Sequence, residues 1–218
     1  MEIISSQEYA LDREDAGAFL FASDDRPVGV HLSQVLHGIE QATGKRRDSK
    51  RIEDMDKRER AEFFARTEMG FIWEEMASRY FKPRMLLRRS AEVRDYEPQP
   101  SCWHDGIWLT PDGIDCDEDP CVLDEFKATT MSIGRMFRAL QNGPEGIETE
   151  FWRWCAQIKG YLRATGLVRA RLFVLWMVGD WAGSGPRVTT HLLEWTEEEI
   201  NANWRMVTES AKGMGLIR

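Results

Sequence analysis

Leu109-Thr110-Pro111-Asp112-Gly113-Ile114 is followed by a charged turn over residues 115–120 and then by Val122-Leu123-Asp124-Glu125-Phe126-Lys127-Ala128-Thr129. Pro111 and Gly113 around Asp112, and the acidic cluster that ends at Pro120, are turn chemistry, whereas the apolar and β-branched residues between them suit short strands. The stretch reads as a hairpin closing around Asp115–Pro120. In an extended chain residues two apart share a face, so Glu125 and Lys127 point one way while Val122 and Phe126 point the other. Closing the hairpin brings Asp112 near that pair. Two carboxylates and an ammonium at the end of a sheet suit a hard divalent cation such as Mg²⁺, whose preferred ligands are carboxylate, carbonyl and water oxygens. An ordinary acidic hairpin with solvated charges is the alternative at this point.

Working outward, the pattern turns helical on both sides. Upstream, Ser33 is placed to cap a helix over Gln34–Gln41, with Val35, Leu36 and Ile39 on one face and a stop near Gly44. From about Asp56 to Phe81, Phe63, Phe64, Met69, Ile72, Met76 and Tyr80 recur at helical spacing. Downstream, Phe151, Trp154, Cys155, Ile158 and Leu162 form one stripe over Glu148–Thr165, with Gly166 as a stop. Arg171–Trp181 and Arg187–Trp195 read as strands joined by Ala182-Gly183-Ser184-Gly185-Pro186. A capping box, Thr196 with Glu199, opens a last helix that presents Ile200, Trp204 and Val207. This order predicts an α/β fold, a central mixed β-sheet flanked by helices, in a single domain over 1–218 whose first thirty or so residues are peripheral.

The 218 residues are 42% hydrophobic and 30% charged, with a mean hydropathy of −0.48, the range of a soluble domain with a sizeable core. The longest apolar run, Leu172–Val178, is far short of the roughly 20 residues that a membrane helix needs. Met1–Ala10 carries no basic start followed by an apolar stretch, so the expected location is the cytoplasm. There Cys102, Cys116, Cys121 and Cys155 are expected as thiols. A net charge of −8 argues against general adhesion to nucleic acid but leaves room for a local basic groove. Lys45, Arg46, Arg47, Arg84, Arg88 and Arg89 are candidates for it, the first three within a basic run that also reads as a solvated loop.

The hairpin resembles the PD-(D/E)XK nuclease superfamily. Pro111-Asp112 matches the first half of the motif and Glu125-Phe126-Lys127 the second. Asp124 does not match, because the residue two after it is Phe126 and not lysine. The RecB-like and phage λ-exonuclease-like branches carry a Gly-x-x-x-Glu on an upstream helix, similar to Gly70-Phe71-Ile72-Trp73-Glu74, with Glu75 adjacent as the other candidate acid. Gln157-Ile158-Lys159-Gly160-Tyr161 is similar to the Gln-x-x-x-Tyr motif of the RecB-like branch. The two hairpin phrases look like the "SPDG … EIK" pair of λ-type exonucleases.

That resemblance implies hydrolysis of DNA phosphodiesters with one or two Mg²⁺ or Mn²⁺ ions. Asp112, Glu125 and the backbone carbonyl of Phe126 would hold the metal, Glu74 would join them directly or through water, and Lys127 would act on the attacking water. Gln157 and Tyr161 would position the strand near its end. The implied partners are duplex or single-strand DNA ends, with a homo-oligomer or a recombination protein beside them, and no membrane. An exonuclease of phage or recombination and repair DNA processing is favoured. A catalytically silent DNA-end-binding or assembly subunit of the same fold and an endonuclease of the same fold are the alternatives.

Other readings of these residues are plain ones. Tyr161 also suits the edge of a core, and Trp73, Trp154, Trp176 and Trp204 fall on apolar faces and read as core, leaving Trp103, Trp108 and Trp181 open. Cys102, His104, Cys116 and Cys121 lack the paired spacing of a zinc site. No cysteine precedes Cys102 and none follows Cys155, unlike the iron–sulfur members of the superfamily, so no such cluster is expected. His31, His37 and His191 receive no role.

Overall fold

A computed structural model describes residues 28–44, 54–76, 96–98, 102–116, 120–177 and 187–218. In chain order the elements are β1 (Val30–His31), α1 (Leu32–Ala42), α2 (Lys57–Met76), β2 (Tyr96–Pro98), β3 (Cys102–His104), β4 (Ile107–Leu109), β5 (Gly113–Asp115) and β6 (Val122–Thr129). There follow α3 (Ile133–Gln141), α4 (Gly143–Glu150), α5 (Trp152–Thr165), β7 (Arg169–Trp176), β8 (Arg187–Glu194) and α6 (Glu197–Gly213). The fold is mixed α/β. It holds two sheets where the sequence suggested one: a five-stranded sheet ordered β2-β5-β6-β7-β8 and a three-stranded sheet ordered β1-β4-β3. β6 and β7 run parallel and the other pairs of the larger sheet antiparallel.

The alternation expected of β6 decides how the layers form. Leu123 joins Ala170, Leu172, Val174 and Trp176 of β7 in a core with Ile158, Tyr161 and Leu162 of α5. On the other face Phe126, Phe173 and Leu175 pack with Trp73 of α2. α1 and α6 complete the first layer from outside α5. Gly160 lets α1 come close, since a Cβ there would stand 2.6 Å from a methyl of Leu32.

Several local expectations shift. α1 is capped by His31 and not by Ser33, with the Gln34 side chain accepting the backbone N–H of His31 at 3.2 Å. Among the described side chains of α2 the buried ones are Ala61 and Trp73, while Met69 and Ile72, expected on the apolar stripe, are exposed; Tyr80 and Phe81 lie outside the described residues. α3 was not foreseen, although Ser132 caps it by accepting the N–H of Gly134. The helix expected over Glu148–Thr165 breaks at Phe151, whose backbone leaves helical angles (φ −118°, ψ 34°). Its buried ring stacks on Trp154 and meets Trp176 edge-on, so tertiary packing overrides local preference there. Trp73, Trp176 and Trp204 are core residues as expected, whereas Trp103 is exposed.

The cysteine expectation is corrected as well. Cys116 and Cys121 form a disulfide across the turn between β5 and β6, and Cys102 and Cys155 remain thiols. Burial, with the Glu148 charge, pushes the Cys155 thiol up to about 12, which leaves it unreactive. Closing so short a loop is worth on the order of 2 kcal/mol through the unfolded chain. Dithiothreitol is therefore expected to lower the unfolding free energy by about that amount, and Cys116→Ser to reproduce the loss without reductant. Urea unfolding of the three samples checks this; identical midpoints would remove the disulfide from the account.

Candidate active site

β5 and β6 pair through only three residues each, Gly113 with Asp124, Ile114 with Leu123 and Asp115 with Val122. Asp112 lies just before this ladder, and its carboxylate takes over where β5 stops: Oδ2 accepts the backbone N–H of Phe126 at 2.6 Å. A residue's N–H and C=O face the same neighbouring strand, so the Phe126 carbonyl is turned to the Asp112 side too. Glu125 and Lys127 share the opposite face of β6 from Phe126, and Lys127 Nζ donates to Glu125 Oε1. Glu125 is 1% exposed and the Lys127 side chain 18%. Asp112 is thus tied to the backbone of Phe126, between Glu125 and Lys127, and the lysine lies between a buried carboxylate and solvent.

Asp124, the neighbouring acid, is engaged elsewhere. It is fully buried on the Phe126 face, where Arg171 of β7 donates to Oδ1 from Nε at 2.9 Å and to Oδ2 from Nη2 at 3.2 Å. The same Nη2 reaches Asp115 Oδ2 on β5 at 2.7 Å. Burial opposes the guanidinium's charge, but the hydrogen bonds and charges of Asp124 and then Asp115 outweigh it and raise the Arg171 pKa. Removing Arg171 would take a hydrogen-bonded counter-charge from two buried carboxylates, a change that costs about 3–5 kcal/mol in comparable sites. The structure therefore gives Asp124 a partner that explains it, and supports the register that separates it from Glu125.

α5 covers the face on which Glu125 and Lys127 lie. Gln157 and Tyr161 are one turn apart on it, and Gln157 Nε2 donates to the Tyr161 hydroxyl at 2.6 Å. Tyr161 is buried among core residues, so its ring serves packing. Glu74 and Glu75 lie on α2 directly after Trp73, which packs on Phe126; their side chains lie outside the described ones. Lys45, Arg46, Arg47, Arg84, Arg88, Arg89 and Trp181 lie outside the described residues.

The donor set fits a divalent cation in kind: the carboxylates of Asp112 and Glu125 and the Phe126 carbonyl are hard oxygens, carried by or hydrogen-bonded to one short stretch of β6. Among the described residues no group of three or more His, Cys, Asp or Glu is placed to hold a metal. Sequence reading overlooked Arg171 and Asp115. Their signal was a single cation amid the apolar run of β7 and an acid at the end of a short strand, each of which needs a partner once buried.

No protein-family model matches the sequence, and no curated protein matches it. Solved structures do. An alkaline exonuclease from Laribacter hongkongensis is similar over 86% of this chain and 88% of its own, at 13% identity and a TM-score of 0.46. A phage-related exonuclease from Haemophilus somnus 129PT is similar over 86% of this chain and 93% of its own, at 11% identity and a TM-score of 0.41. SSO0001 gives 86%, 78%, 9% and 0.45 in the same terms. Among the described residues no helix is long and apolar enough to cross a membrane.

Proposed function

We propose that this chain is a divalent-metal-dependent deoxyribonuclease that hydrolyses phosphodiester bonds from DNA ends. What supports the reading is that Asp112 holds the Phe126 N–H while Lys127 donates to Glu125 on either side of it, in the order and spacing of the Pro-Asp … Glu-x-Lys motif. Asp112, Glu125 and the Phe126 carbonyl would hold the cation, with Glu74 as the further ligand. A bound cation supplies a lower pKa for water and charge neutralisation at the non-bridging phosphate oxygens.

The protein's own groups do the rest. Lys127 holds its ammonium beside Glu125, where it offsets charge gathering on the phosphate and orients the attacking water, and in its neutral amine form it would take that water's proton. The Phe126 N–H fixes one oxygen of Asp112, so that carboxylate meets its ligand without reorganising. Gln157 and Tyr161 hold the terminal nucleotides in line. Lys45, Arg46, Arg47, Arg84, Arg88 and Arg89 are the proposed phosphate contacts, which makes DNA binding salt-sensitive despite the net charge of −8. A phage or recombination setting, with an oligomer or a recombination protein as partner, belongs to the same reading.

Because misplacing a substrate by about 1 Å costs on the order of a hundredfold in rate, Gln157→Ala is expected to lower turnover on DNA ends by about that factor with Mn²⁺ affinity unchanged. Tyr161→Phe separates hydroxyl from ring: a comparable loss at unchanged melting temperature assigns the role to the hydroxyl. Wild-type end degradation by both variants would return this helix to plain packing.

Incubation of linear and covalently closed duplex DNA with Mg²⁺ or Mn²⁺, then with EDTA, tests the proposal as a whole. Degradation of the linear form alone, stopped by EDTA, is the expected result. Cleavage of the closed form would assign an endonuclease, and binding of ends without cleavage the silent subunit.

A further inference from the structure

We propose that Arg171 is a positioning residue for the Asp112, Glu125 and Lys127 site, tying the strand that leads from Asp112 to the strand that carries the other two. The proposal rests on the nuclease reading for its catalytic consequence, and on geometry alone for the tie itself. β5 is three residues long and meets β6 through three pairs. Its other edge meets β2 through three more pairs, and because backbone ladders do not distinguish one register from the next, a slip by one residue, which would turn Asp112 to the wrong face, must be prevented by side chains.

Arg171 supplies what the ladder lacks. Its Cα partner on β6 is Asp124, which it grips from Nε and Nη2, and Nη2 continues across β6 to Asp115 on β5 at 2.7 Å. Asp124 directly precedes Glu125, and Asp115 follows Asp112 by three residues. Each carboxylate held by the guanidinium is therefore a short, extended stretch of backbone away from the acid it places. The planar fork fixes direction as well as distance, as a lysine's point charge would not. Phe173 supports it from below, with the guanidinium carbon 5.4 Å from the ring centre.

Arg171 lies on the opposite face of the sheet from Glu125 and Lys127 and acts through the sheet. The reporter of its action is the Phe126 N–H, held by Asp112 at 2.6 Å. The Cys116–Cys121 disulfide closes the far end of the hairpin; it keeps the strands joined when the clamp is weakened but does not fix the Asp112 end.

The test uses the full ¹⁵N-labelled chain and two variants. Arg171→Lys weakens the whole clamp, and Asp115→Asn weakens only the arm to β5 while sparing the Asp124–Arg171 pair. In both, amide exchange at Phe126 is expected to accelerate about tenfold or more while α6 amides keep their wild-type rates, the pattern of local and not global opening. Mn²⁺ binding by calorimetry should weaken by about fivefold or more, and kcat on linear duplex should fall about tenfold with KM within about threefold. If Arg171→Lys does not fold, Asp115→Asn decides alone. Phe126 exchange within about twofold of wild type in the folded variants overturns the proposal. A wild-type chain that cleaves no DNA with Mn²⁺ overturns the nuclease reading instead, and the exchange rates still decide whether Arg171 sets the hairpin.

Discussion

Lys127→Ala is expected to abolish cleavage, by about a thousandfold or more in single-turnover rate, while Mn²⁺ affinity stays at the wild-type level or rises. General acid–base assistance contributes about 10²–10⁴-fold, and in the proposed site this side chain also sets a positive charge beside Glu125. The second half of the expectation comes from the structure. Lys127 Nζ is hydrogen-bonded to Glu125 Oε1, and Glu125 is 1% exposed, so the ammonium competes with a cation for the same carboxylate. Its removal leaves a buried negative charge that a divalent ion satisfies well. Calorimetric titration with Mn²⁺ beside the rate measurement checks both halves. A rate within about threefold of wild type would remove Lys127 from the chemistry.

Asp112→Asn and Glu125→Gln are expected to lose both metal and activity, because a neutral amide in place of an anionic ligand strips charge from a site for a hard cation. Mn²⁺ affinity should fall by about tenfold or more in each, with cleavage lost in proportion. Asp112→Asn also exchanges the acceptor of the Phe126 N–H for a weaker one, so it is expected to loosen the hairpin as well. Asp124→Asn is the informative contrast. It unbalances the Arg171 cluster, and the expected result is a lower melting temperature with a smaller loss of metal affinity than Glu125→Gln shows. If Glu125→Gln binds Mn²⁺ and cleaves as wild type does, the assignment of the two neighbouring acids is reversed.

What could be read without coordinates follows from how local each signal is. The hairpin was legible because its turn chemistry and the alternation of Glu125, Phe126 and Lys127 act over a few residues; the structure places all three on the faces expected. The capping box of α6 is local too, and Thr196 and Glu199 exchange the hydrogen bonds expected of it. Those bonds hold the Glu199 carboxyl below its ordinary range, so their contribution is present above that range and is lost as pH falls through the lowered value.

The misses have identifiable causes. The Asp105-Gly106 turn between β3 and β4, both residues at positive φ, is an Asp-Gly hairpin signal that the larger turn clusters on either side obscured. α3 was hidden because Gly134 and Gly143-Pro144 resemble breaks, although Met136 and Ala139 are buried on one face. The division of the strands into two sheets, the break at Phe151 and the pairing of Arg171 with two acids depend on residues 25 to 77 positions apart, and no spacing rule carries that information.

Single-turnover cleavage of an end-labelled linear duplex, with Mn²⁺ and then with excess EDTA, by the wild-type chain and by Lys127→Ala in parallel, tests the central claim most directly. The expected result is release of label by the wild type in Mn²⁺ alone, with none in EDTA and none from a Lys127→Ala protein that still binds Mn²⁺. Release that persists in EDTA, or that Lys127→Ala sustains at the wild-type rate, would contradict a metal-dependent centre built from Asp112, Glu125 and Lys127.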